Sequence, residues 1–202
     1  SNTVTVVDLS TLKVRHEVAV GKKPEGVTFL GKTHRLAVAV YASDQVVLVD
    51  ADAGKTLAKL DVFDEPYGVV SHPDGKRLYV TLEYPGQVLE IDTGTRKILR
   101  SVPAGRFPRG LAISRDGTRL FVTEYYTANV LSIDVASGKT VDRWKGASTD
   151  NLCRQIVLHP RRPKAYVPHI RSRIIAAQGE GSIFPYVGVV DTKQAEGRRR
   201  KR

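Results

Sequence analysis

The chain of 202 residues is 41% hydrophobic and 26% charged, with a formal net charge of +11, one cysteine and no methionine. This is a globular balance, and about 70% of the unfolded surface is buried at such a length, so no disulfide or metal staple is needed for a core. Cys153 alone excludes an internal disulfide and any CxxC motif, the lack of CxxCH excludes covalent c-type haem from these residues, and without an 18-residue apolar run or a basic-then-apolar stretch no membrane span or secretion signal is expected within them.

The predicted elements are short strand-like runs rich in Val, Ile, Leu, Tyr and Thr, arranged in groups of four. The first two runs, 3–7 and 14–20, read as the last half of a group, and three full groups follow at 26–60, 68–102 and 110–144. In the group at 68–102 the runs are 68–72, 78–82, 87–91 and 97–102, with the tight-turn sequences Pro73-Asp74-Gly75-Lys76 and Asp92-Thr93-Gly94-Thr95 between them. The last group is irregular: runs at 155–159 and 164–167, an expected exposed loop over 168–184, and a run at 186–190. A start inside a group, and the missing methionine, give the expectation that the chain is a processed form or part of a longer protein.

The groups keep a fixed period of 42 residues. Val7-Asp8, Val49-Asp50, Ile91-Asp92 and Ile133-Asp134 recur at that step, as do Pro24-Glu25-Gly26, Pro66-Tyr67-Gly68 and Pro108-Arg109-Gly110, and Arg35-Leu36, Arg77-Leu78 and Arg119-Leu120. Four antiparallel strands in about 40–45 residues is the pattern of a β-propeller blade. The fold expected is therefore an all-β propeller, partial or small, with a partial blade at 1–20, blades at 21–62, 63–104 and 105–146, an irregular blade at 147–191 and a basic, unfolded tail at 192–202.

Tyr79-Val80-Thr81-Leu82, Phe121-Val122-Thr123-Glu124 and Tyr166-Val167-Pro168-His169, with the flanking HPDGKRLYVT and SRDGTRLFVT, resemble the YVTN motif of YVTN-family β-propeller repeat proteins over about residues 1–170. The fourth motif position holds Val40, Leu82, Glu124 or His169 and never Asn. The resemblance implies an extracytoplasmic (periplasmic or secreted) protein. It also implies three roles in turn: a binding or scaffold module, the propeller portion of a haem-dependent redox protein, or a lactonase-like hydrolase. About seven blades are usual in such proteins.

After Asp134 the next equivalent pair is Val190-Asp191, a step of 57, so 15 residues are inserted: three before Gln155 and twelve within 168–184. Insertions beyond a repeat period map to loops on one face, often the binding face. Residues 151–202 carry 12 Lys or Arg against three Asp or Glu, whereas residues 1–150 carry 20 against 18, so the excess charge is local to the irregular end. A basic surface of this kind draws acidic proteins, small anions and, through the tail Arg198 to Arg202, nucleic-acid phosphates.

Arg154, His169, Arg171, Arg173 and Glu180 form the candidate ligand-binding set, with His169, Arg171 and Arg173 on one face if their strand continues. The competing structural reading is a solvated basic edge that blocks strand addition. Tyr67 and Arg109 join the set because Glu25, Tyr67 and Arg109 vary inside an otherwise fixed entry to the innermost strand. Tyr41, Tyr84, Tyr125 and Tyr126 follow second strands, where aromatics stack on ligands or pack blade against blade. The repeated aspartates read as turn caps rather than a Ca²⁺ ring. Cys153 reads as a buried thiol, although Arg154 beside it is of a kind that lowers a thiol pKa. No catalytic triad, phosphate loop, metal-ligand set or cofactor motif is found by spacing, and self-association through open blade edges is a further expectation.

Overall fold

The computed structural model describes residues 2–175 and 180–193, without the side chains of 173–175 and 180. The expected tail therefore lies, from residue 194 onward, outside the described residues, as does the centre of the expected loop at 176–179. The chain divides into two compact units, Ser1–Ser101 and Val102–Arg202.

In the first unit β1 (Thr3–Asp8) and β2 (Lys13–Ala19) form a two-stranded antiparallel sheet. Four strands, β3 (Pro24–Phe29), β4 (Arg35–Val40), β5 (Gln45–Asp50) and β6 (Lys55–Asp61), then pair in chain order. A 3₁₀ turn at Tyr41–Ser43 joins β4 to β5. A second sheet repeats the order with β7 (Pro66–Ser71), β8 (Arg77–Leu82), β9 (Gln87–Asp92) and β10 (Ile98–Pro103). The second unit holds β11 (Pro108–Ile113), β12 (Arg119–Glu124), β13 (Val130–Asp134) and β14 (Thr140–Trp144) in one sheet. Its last sheet contains β15 (Asp150–Asn151), β16 (Val157–Leu158), β17 (Lys164–Ile175) and β18 (Glu180–Asp191).

The second strands, RLAVAV, RLYVTL and RLFVTE, are buried beyond their first residue because both faces of the sheet meet apolar neighbours. The fourth strands are more exposed and alternate, as an outer strand must. Between sheets the cores are continuous: Ala37, Ala39, Val46 and Leu48 pack with Val69, Leu78, Val80 and Leu89. In the second unit Phe121, Ala128 and Val130 pack with Cys153, Ile156, Ala165 and Val167.

The structure explains why two motifs 13 residues apart repeat together. Pairing of the first and second strands slips between Pro66 and Val69 and between Pro108 and Leu111. The slip leaves an amide outside the ladder, and the motif threonine receives it: the Gly68 N–H donates to Thr81 Oγ1 at 2.7 Å and the Gly110 N–H to Thr123 Oγ1 at 2.9 Å. A side chain at 110 would overlap Thr123 Oγ1 and the backbone of Gln155, so glycine is required there by space.

The expected loop over 168–184 is instead a hairpin. β17 and β18 pair over twelve consecutive rungs, from Lys164↔Asp191 to Ile175↔Glu180. The insertion lengthens two existing strands, and β15, which no sequence signal predicted, pairs Asp150 and Asn151 with Arg171 and Ile170 on the other edge of β17. The physical reason is the backbone ladder: each added pair satisfies N–H and C=O groups that a loop would leave to water. The repeated aspartates cap their own turns, Asp8 receiving the amides of Ser10 and Thr11, Asp50 those of Asp52 and Ala53, and Asp191 that of Lys193.

Candidate functional site

The second unit brings the predicted residues into two groups. The first lies at the entry of β11. Arg109, on that strand, places its guanidinium carbon 3.5 Å from the centre of the Tyr125 ring. Arg154, at the equivalent place of the next repeat, lies 5.8 Å from the same centre and directs Nη2 to the Tyr125 hydroxyl at 3.5 Å. Tyr125 is buried and packs edge-on against exposed Tyr126, which in turn meets Phe107 at 5.0 Å and 90°. Glu124, which precedes Tyr125 in the chain, accepts from the Arg106 amide at 3.0 Å, Thr127 Oγ1 at 2.9 Å and Asn129 Nδ2 at 2.5 Å. Burial alone would raise its pKa; these three donors and the Arg143 charge outweigh it and hold the carboxyl below its ordinary value.

The second group lies on the sheet of β17. His169 and Arg171 share a face, as the alternation required, but neither faces open solvent alone. Arg171 grips Asp150 with Nε at 2.6 Å and Nη2 at 3.0 Å, and the Ala147 amide donates to the same carboxylate at 3.0 Å. The Arg171 hydrogen bond leads the groups that hold Asp150 below the ordinary carboxylate range. The Arg171 guanidinium also sits 4.2 Å over the Tyr186 ring. His169 Nδ1 meets the Val167 carbonyl at 2.9 Å, and Nε2 is 3.3 Å from Asp150 Oδ2 but outside hydrogen-bond alignment.

The remaining candidates go elsewhere. Tyr67 belongs to the first unit, where it is buried and meets Tyr41 edge-on at 6.2 Å, so its place is a packed one. Tyr41 has its pKa raised by burial and by Glu65 and Glu83. Glu25 lies 3.8 Å from Lys23. Arg173 and Glu180 pair through their backbones with Ser182 and Ile175, and their side chains lie outside the described residues. Burial pushes the Cys153 thiol up to about 11, against the lowering that a neighbouring arginine suggested, because Arg154 turns to Tyr125.

Asp150 and Tyr186 were missed. Asp150 lies in a polar turn sequence, yet counting the 45-residue step from Gly105 would have marked it as an acid at a glycine position. Among the described residues no three His, Cys, Asp or Glu side chains form a metal-binding group, and no helix is long and apolar enough to cross a membrane.

Comparison with protein-family models finds no match, and no curated protein matches. Among solved structures, a chain of Kuenenia stuttgartiensis hydrazine synthase is similar, with a TM-score of 0.83 and 29% identity over 95% of this chain and 57% of that one. The sheets are β-propeller blades. This propeller chain spans 57% of the length of the hydrazine synthase chain it resembles. The likeness shows the propeller architecture rather than a chemistry, and such an architecture supports a binding or scaffold role. The blade, and not membership of the YVTN family, is what these matches show.

Proposed function

We propose that the chain is a non-enzymatic binding module whose loop face recognises an anionic group carried by a protein or small molecule. One observation carries this reading: two arginines from equivalent positions of consecutive repeats, Arg109 and Arg154, converge on one aromatic ring, beside exposed Tyr126 and the partly exposed Phe107. Arginine forks bind carboxylate and phosphate in defined geometry, and Arg, Tyr and Phe are the side chains that anchor interfaces. The test is binding of a fluorescein-labelled Glu/Tyr copolymer by fluorescence anisotropy. Arg109→Glu with Arg154→Glu is expected to weaken binding by about tenfold or more, with a shallower salt dependence. An unchanged dissociation constant in a folded double variant rejects the site, since the basic tail is common to both proteins.

A second reading, the propeller portion of a larger redox protein, draws on the likeness to hydrazine synthase over nearly the whole of this chain. It expects a visible-absorbing subunit to copurify stoichiometrically from the native source, and colourless material at full purity removes it.

A further inference from the structure

Along the β17–β18 face of the second unit runs a groove of about 820 Å³. Its walls are apolar, formed by Val130 and Trp144 of the neighbouring sheet and by Val167 and Val190 of this one, and its polar end is Asp150, His169 and Arg171. The charge at that end is balanced, because Arg171 holds Asp150 in a two-pronged ion pair. An anionic ligand would meet Asp150 and a cationic one Arg171 and Lys145, so the groove suits a neutral molecule.

His169 is the unfinished part. It is more than nine-tenths buried, and its position is tight: a Cβ at Gly188 would stand 3.3 Å from Cε1. A carbonyl only accepts, so Nδ1 carries the proton given to Val167, and in the neutral ring Nε2 is a bare acceptor. The nearest oxygen, Asp150 Oδ2, also accepts and already receives the Arg171 Nη2 and Ala147 donors. Nε2 thus has no hydrogen-bond partner among the protein groups. A buried nitrogen left in this way is costly, and an apolar groove with a few convergent polar groups is the usual form of a small-molecule site.

We infer that this groove binds a neutral, flat aromatic molecule bearing one hydroxyl, whose O–H donates to His169 Nε2 while its ring lies between Trp144 and the Val167–Val190 wall. Trp144, the single tryptophan of the chain, reports directly on occupancy. The probes are 2-naphthol and its methyl ether, which differ in the one donor. Saturable quenching of Trp144 is expected with both, with 2-naphthol bound about tenfold more tightly, the value of one hydrogen bond to a buried acceptor. His169→Phe should abolish that preference and leave the ether unchanged. Ala147→Tyr, at an exposed position on the groove wall, should weaken both probes while its backbone amide keeps its bond to Asp150, and it serves if the histidine variant does not fold. Absence of saturable quenching, equal affinity for the two probes, or a preference that survives in folded His169→Phe overturns the inference.

Discussion

Glu124 and Asp150 show how one local problem is solved twice with the partners exchanged. In the blade of β11 to β14 the acid stands at the end of the second strand, and the facing position is Gly105, where a Cβ would overlap the Glu124 carboxylate. In the next blade the equivalent position on the longer β17 is His169, and Asp150 lies 3.3 Å from its Nε2. That this motif position departs from Asn is legible in the sequence, but the matching of Glu124 and His169 across the strand is not, because the matching residue is 19 places earlier and has no motif. Glu124 is buried and accepts three hydrogen bonds, so Glu124→Gln should destabilise the protein by about 2 kcal/mol at pH 7 in urea titration. Its folded pKa lies below the unfolded value of about 4.3, so its stabilisation is complete above that pH and fades as pH falls through the folded value. The difference between wild type and variant should therefore shrink below about pH 4; a difference constant from pH 7 to pH 3 would reject this account.

At the level of elements, the repeat fixes turns more strictly than it fixes residues. Left-handed backbone recurs at Leu12, Gly54, Arg96 and Gly138, one per period, and at Lys23, Glu65, Phe107 and Leu152 where the inner strands begin. Glycine takes this conformation freely, whereas other residues are strained by roughly 1 kcal/mol, offset in part by the entropy glycine loses on folding. Leu12→Gly, at an exposed turn where other repeats already hold glycine, should stabilise the protein by about 0.5 kcal/mol and raise the melting temperature. A lowered melting temperature would show that Leu12 contributes a contact that outweighs the strain. The turns at the aspartates were legible because Asx chemistry is local. The β17–β18 hairpin was half legible: alternation at His169, Arg171 and Arg173 allowed a continuing strand, but glycines at 179 and 181 argued for a loop, and only pairing across twelve rungs decided between them.

On the scale of the whole molecule, each pair of neighbouring sheets within a unit shares a core, so a blade needs cover on both faces. The face of the last sheet that carries Ile183, Val187 and Val189 has those side chains 70%, 59% and 58% exposed. Alternation puts all three on one side of β18. Such a patch favours association, and sedimentation velocity should show the average mass rising with protein concentration. Ile183→Glu with Val187→Glu should remove that rise; association unaffected by the pair would place the contact elsewhere.

The sequence by itself determined the blade: its period, its strands, its aspartate turns and the region where the repeat breaks, because these depend on residue patterns a few positions apart and on the 42-residue step. The tertiary structure decided what the break contains. Arg154 joined Arg109 at Tyr125, Arg171 was taken by Asp150, and Tyr67 went into packing against Tyr41. Those partners are brought together by strand pairing and sheet stacking, and a side chain's charge is available to a ligand only after its own neighbours have been satisfied.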